Sequence, residues 1–193
     1  MLKRAIALFA LWATFGLAHA TSVLPLYLDE IIDNAAVAFE GVCVDNKTGR
    51  DPQTGALVTL TTFQVSDVLK GSVTGSTYTI KQMGGEDKSA GLNFKVFGVP
   101  KFAPGQGYVV FLYGVSPQGF SSPVGLSQGR FEIVQDASGL AKVTNGVDFH
   151  EMTQRMPFAL LPEALKQKAG GAVTRVELGQ FKQLVRGHLG GAR

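Results

Sequence analysis

Apolar and polar residues alternate through most of the chain, and helical spacing is confined to its two ends. The alternation is clearest over residues 56–85, which read as a long strand, a short glycine turn and a second strand. Along the first of these the apolar positions are Val58 and Leu60, then Phe63 and Val65, then Val68 and Leu69. The parity switches between Leu60 and Phe63, across the Thr61-Thr62 pair. A shift of one residue turns every side chain to the other face of a sheet, so a continuous strand here requires a bulge. Such bulges let a sheet turn a corner and close toward a barrel.

The flanking segments extend the pattern. Leu24, Leu28, Ile31 and Ile32 recur at helical spacing with acids between them, which predicts a short amphipathic helix. Residues 35–44 then place Val37, Phe39 and Cys43 on one parity and predict a first strand, with Gly41 at a bend or close approach. Residues 46–55 are a polar turn. After the hairpin, Leu92, Phe94 and Val96 alternate as a short strand inside a long loop. Residues 108–115 (YVVFLYGV) are the most apolar run after the N-terminal segment and predict a central strand. Residues 130–136 and the LAKVTN segment predict a closing hairpin. Near the end, a short helix is expected over 162–168. Thr174 and Glu177 form a capping-box pattern opening a last helix, with Val176, Phe181, Leu184 and Val185 on its buried side. Short strands parted by glycine turns, with helices only at the ends, predict a mainly β protein, a small β-barrel rather than βαβ units.

Charge and cysteine content change this picture in three places. Lys3 and Arg4, the apolar run 5–17 and Ala18-His19-Ala20 match a signal peptide, which predicts export and a mature chain from Thr21. Those two cations are part of the 18 basic residues, so the other 173 residues carry 16 against 15 acidic groups, and no nucleic-acid surface is expected. The charges are unevenly spread. Residues 21–45 hold Asp29, Glu30, Asp33, Glu40 and Asp45 without a cation, whereas residues 152–193 hold seven cations against Glu163 and Glu177. Either the two ends lie together and attract, or the basic segment meets an anionic surface. Cys43 is the single cysteine, so no internal disulfide is available, and its apolar strand favours a buried thiol over a reactive one.

Candidate chemistry is sparse. Gly125-Leu126-Ser127-Gln128-Gly129 matches G-x-S-x-G, but a strand follows it where a nucleophile elbow needs a helix, so it reads as a loop. Asp148, His150 and Glu151 are the densest group able to move protons, without the second histidine or cysteine a zinc site needs. Glu86-Asp87 lacks the EF-hand pattern, and neither a P-loop nor G-x-G-x-x-G is present. No catalytic residue, metal or cofactor is expected.

Five blocks carry a resemblance. They are AAVAFEGV (35–42), TFQVSDVLKG (62–71), Tyr78-Thr79-Ile80 with Gly84-Gly85, Phe102-x-x-Gly105-x-x-Tyr108-Val109-Val110-Phe111-Leu112, and Val124-Gly125-Leu126-x-Gln128-Gly129-x-Phe131. Together, over residues 35–135, they resemble the netrin-like, tissue-inhibitor-of-metalloproteinases type of OB-fold. They are similar above all to uncharacterised exported bacterial proteins with the same arrangement. The resemblance implies a closed or partly open OB-like β-barrel over 35–150, after a helix at 21–34 and before a helical extension at 151–193. The inhibitors present an N-terminal cysteine to the protease zinc. This chain is expected to begin at Thr21 and has no disulfide partner for Cys43, so the inhibitory residues do not carry over. Fold alone does not assign function.

The expectation is therefore an exported, non-enzymatic binding module whose partner is a secreted or envelope protein, with no transmembrane segment in the mature chain. Its binding residues are expected on loops 84–105 and 114–129, at Gly84, Gly85, Glu86, Asp87, Gln128 and Arg130. Two alternatives stand beside it. One is a hydrolase using Asp148, His150 and Glu151, the other an envelope-surface structural protein held through its basic C-terminal segment.

Overall fold

The computed structural model describes residues 24–167 and 171–191, so the expected signal segment and Thr21 lie outside the described residues. Helix α1 (Leu28–Asn34) is followed by two 14-residue strands, β1 (Val37–Arg50) and β2 (Leu57–Lys70), and then by β3 (Thr77–Met83). A two-stranded hairpin of β4 (Gly85–Asp87) and β5 (Leu92–Phe94) precedes β6 (Gly107–Leu112), β7 (Arg130–Gln135) and β8 (Ala141–Thr144). The C-terminal part contains helix α2 (Phe149–Met152), a 3₁₀ turn (Phe158–Leu160), helix α3 (Glu163–Lys166), strand β9 (Val176–Glu177) and helix α4 (Leu178–Gly191). The protein is mainly β, with one seven-stranded antiparallel sheet ordered β3-β2-β1-β6-β7-β8-β9. Among the described residues no helix is long and apolar enough to cross a membrane.

The central place of β6 follows from its sequence, because its residues pack on both faces of the sheet. Val109 and Phe111 face a core with α1 and α4, where Leu28, Ile31, Ile32, Phe131, Phe149, Phe181 and Leu184 are buried. Tyr108, Val110 and Leu112 face the opposite core with Phe39, Cys43, Phe63, Ile80 and Phe102. Cys43 is fully buried, and this burial pushes its thiol above the ordinary value, as expected of a packing cysteine.

The acidic and basic ends meet on the helix face. Arg155 pairs with Asp29 at 2.9 Å and with Glu30 at 2.8 Å, while Lys182 pairs with Glu40 at 2.6 Å and Asp67 at 3.0 Å. Arg186 adds a 2.6 Å contact to Asp67, and His188 lies 2.9 Å from Asp33. Three of the seven cations of the C-terminal segment, Arg155, Lys182 and Arg186, are thus matched internally.

Four sequence expectations are corrected. First, β2 runs past Thr61 and Thr62 in regular register with β3 (Thr61↔Ile80, Thr62↔Thr79). The irregularity at this level lies on β1, where Cys43 and Asp45 oppose the adjacent residues Phe63 and Thr62 and leave Val44 as the extra residue. Thr59, Thr61 and Phe63 all face the same side, and Leu60 and Val68, at 38% and 39% exposed, are apolar residues pointing outward. Second, Val176 and Glu177 pair with Val143 and Lys142 as a strand, so the Thr174 capping box does not open the last helix. The 151–193 region is accordingly not all helical. Third, Leu24 precedes α1 and is 82% exposed. Fourth, Val96 lies beyond the end of β5, and both Leu92 and Phe94 are exposed.

The two edges of the sheet, β3 and β9, do not pair with each other, so the sheet is open. A short segment nonetheless crosses from β6 to β3. Pro123 bridges Leu112, Tyr113 N–H donates to Ser122 O (3.0 Å), and Ser121 N–H donates to Lys81 O (3.0 Å). Val124 N–H then donates to Phe111 O and Phe111 N–H to Gly129 O, both at 2.8 Å. Both flanks of 125–128 therefore pair with Phe111, and the G-x-S-x-G motif is a loop thrown out of one interrupted strand, as its sequence context indicated. Gly129 admits no side chain there. A Cβ would stand 2.7 Å and 2.9 Å from Val124 O and N and 3.0 Å from Phe111 O, all backbone atoms. Gly129→Ala is expected to cost about 1–3 kcal/mol through forced backbone displacement. Urea denaturation reads this directly, and a midpoint equal to that of the parent would contradict the packing described.

Candidate functional site

The face of β1–β3 opposite the helices changes character along its length. Phe39, Cys43, Phe63 and Ile80 make its apolar part, capped by Phe102, whose ring lies edge-on to Phe63 at 4.9 Å. Beyond Phe102 the residues on the same face are Asn46, Thr48, Thr59, Thr61 and Gln82, in direct cross-strand register: Asn46↔Thr61, Thr48↔Thr59 and Thr59↔Gln82. Polar residues on a face that elsewhere is core require a reason. They form the floor of a cavity of about 560 Å³, covered by the 84–102 segment.

The cover is tied to the floor at several points. Thr59 Oγ1 donates to Gly84 O (2.7 Å), Gly84 N–H donates to Leu57 O (2.9 Å), and Asn46 Nδ2 donates to Phe102 O (2.7 Å). Thr61 Oγ1 donates to Asn46 Oδ1 at 2.6 Å and fixes that amide. Gly84 adopts a φ of +100°, and a Cβ on Gly85 would meet Val58 O at 2.8 Å, so both glycines let the cover start close against β2. Apolar residues of the cover, Phe94, Val96, Phe97, Val99 and Pro100, line the cavity together with the charged Glu86, Lys95 and Lys101. Phe97 is 88% exposed at the rim, beside the exposed cations Lys95 and Lys101.

Gln82 is the exception to the hydrogen-bonding economy of the floor. It is 5% exposed, and its Nε2 is buried without a partner. An unsatisfied buried amide costs about 1–3 kcal/mol and in a native protein needs an explanation.

The expected binding residues divide into three places. Gly84, Gly85 and Glu86 line the cavity, and Glu86 accepts from Asn93 Nδ2 (3.1 Å). Asp87 holds the β4–β5 turn, accepting from Ser89 Oγ (2.6 Å) and Ala90 N–H (3.2 Å), with Arg50 Nε at 3.2 Å. These donors, the Ser89 hydroxyl first, keep its carboxyl below the ordinary value. Arg130 braces the cover from behind. Its Nη1 donates to Lys101 O (2.9 Å), and its guanidinium stands 5.4 Å and 5.9 Å from the Tyr108 and Phe102 ring centres. Gln128 lies apart, gripping the chain ahead of α1: Oε1 accepts Leu26 N–H (2.7 Å) and Nε2 donates to Leu24 O (3.0 Å).

Asp148, His150 and Glu151 do not come together as reactive groups. Asp148 Oδ1 accepts the N–H groups of His150 and Val173, both at 3.0 Å, and so caps α2. His150 Nε2 is buried without a partner, and Glu151 is exposed. Among the described residues no three His, Cys, Asp or Glu side chains gather as a metal site would require.

Sequence reasoning found the cover loop but missed its floor, Asn46, Thr48, Thr59, Thr61 and Gln82. The available signal was the apparent parity switch itself. Thr59 and Thr61 occupy inward positions as polar residues because they line a cavity, while Leu60 supplied the misleading apolar parity. No protein-family model matches the chain, and no curated protein matches it either.

Proposed function

We propose that this protein is an exported binding module on an OB-like barrel, with its ligand received in the cavity under the 84–102 segment. The observation that carries this reading is the polar floor built into an otherwise apolar sheet face. Pockets that hold ligands combine apolar walls with a few convergent polar groups, and this one does so at one end of a rigid sheet. The OB-like part of the reading is supported by the order β1, β2, β3, residues 121–123 and β6 around the apolar core, since an OB barrel is five-stranded and partly open. Export rests on the signal pattern of residues 1–20, and a secreted or envelope protein is the partner class it favours.

A fragment screen on isotope-labelled chain beginning at Thr21, followed by backbone chemical-shift mapping, tests the site. Shifts are expected to centre on Thr48, Thr59, Gln82 and residues 96–102. Saturable binding that maps only to the α2 region around His150, or the absence of any binder at the cavity, would overturn the assignment.

A further inference from the structure

The Gln82 side chain offers more than one unpaired atom. Nε2 is buried without a partner, and among the described residues Oε1 enters no hydrogen bond either, so donor and acceptor are both unspent in the cavity floor. The same molecule shows what such an amide does when paired. Gln128 takes a main-chain N–H on its oxygen and gives a hydrogen to a main-chain carbonyl two residues away, holding an extended backbone by both ends.

The rest of the site narrows the ligand. Thr59 and Thr61 spend their hydroxyl hydrogens on Gly84 and Asn46, Asn46 Nδ2 gives one hydrogen to Phe102, and the floor contains no charged side chain. A carboxylate or ammonium set against the floor itself would be desolvated, since the charged lining residues Glu86, Lys95 and Lys101 all lie on the cover, whereas a neutral amide matches Gln82 donor to acceptor. The apolar side chains of the cover, Val96 and Phe97 among them, suit aliphatic side chains on either side of that amide.

Resting on the reading of the cavity as a ligand site, we propose that it binds the uncharged main-chain amide of an extended, apolar peptide segment, with Gln82 gripping the backbone. Glutamine at this position is then the specificity-determining residue. The unpaired amide it carries in the free protein is complementary to peptide rather than a packing defect.

The probe is the blocked peptide acetyl-Ala-Leu-Ala-amide, titrated into isotope-labelled chain beginning at Thr21. Saturable shifts are expected at the Gln82 side-chain NH₂ and at Thr48 and Thr59. Gln82→Leu, which removes a buried unsatisfied amide and so leaves the fold intact, is expected to weaken this binding about tenfold or more. N-acetyl-leucine, with a free carboxylate in place of the second amide, is expected to bind more weakly than the blocked peptide at neutral pH. If neutral non-amide fragments bind the cavity while the blocked peptide does not, the peptide inference fails and the binding-site reading stands. If neither binds there, both fail. Equal affinity of Gln82→Leu and the parent for the peptide would likewise remove Gln82 from the role proposed.

Discussion

Phe131→Ala is expected to destabilise the protein by about 3–5 kcal/mol, the range for removing a large aromatic from a packed core. Phe131 is fully buried on the helix face, with its ring centre 4.8 Å from Phe181, 5.7 Å from Phe111 and 6.1 Å from Phe149. Those partners belong to α4, β6 and α2, so one side chain joins the central strand to two C-terminal helices. Alanine leaves a cavity walled by rigid rings that cannot collapse without moving helix or sheet. A domain of this size loses roughly 2–4 °C of Tm per kcal/mol, which puts the expected fall on the order of 10 °C. Phe158→Ala is the control, because Phe158 is 66% exposed and its loss should stay within about 0.5 kcal/mol. Denaturation giving similar losses for both variants would show that the Phe131 cluster does not hold the helices to the sheet.

Lys182→Met is the second large effect. The Lys182 side chain is 20% exposed, and Glu40 and Asp67 beside it are 18% and 26% exposed. Removing the ammonium leaves two carboxylates mostly out of water, with only Arg186 still on Asp67. Loss of one member of such a group costs about 3 kcal/mol, most of it the penalty of the stranded charges. The pH dependence supplies a sharper test. Burial alone would raise the Asp67 carboxyl, but Lys182 and Arg186 outweigh it and hold the group below its ordinary value of 3.8. Burial opposes the charge on Lys182 as well, and there Glu40 and Asp67 prevail and hold its ammonium above the ordinary value. A carboxyl lowered in the folded state contributes stability that is present above its unfolded value and lost as pH falls through the folded one. In the parent this contribution is therefore complete at neutral pH and fades only in strong acid. In Lys182→Met the carboxylates have lost their main counter-charge, so protonating them relieves repulsion. The stability gap between variant and parent is expected to be widest near neutrality and to narrow as the pH approaches the carboxyl range. A gap independent of pH would show that the lysine acts through its methylene packing and not through charge.

Much of the architecture was legible because it depends on local pattern. The run Tyr108–Leu112 is apolar at every position, and only a strand covered on both faces tolerates that, so its central place in the sheet could be read directly. The uneven charge of the two ends left attraction between them and an anionic partner as alternatives, and only the pairs themselves, such as Arg155 with Asp29 and Lys182 with Glu40, show the attraction. Val176 and Glu177 were misread because a capping box and a two-residue edge strand share the same residues. The choice was made by the available backbone of β8, not by any local preference.

The sequence by itself determined the β-rich class, the hairpins, the central strand, the burial favoured for the cysteine and the uneven charge of the two ends. Each of these is set by periodicity or by summed charge, and both act along the chain. The tertiary structure alone decided that Thr59, Thr61, Asn46, Thr48 and Gln82 share one face under the 84–102 segment. In a strand, polar residues look the same whether they face solvent or a cavity. Only cross-strand register and the cover folded over them distinguish the two, and these contacts join residues far apart in the chain.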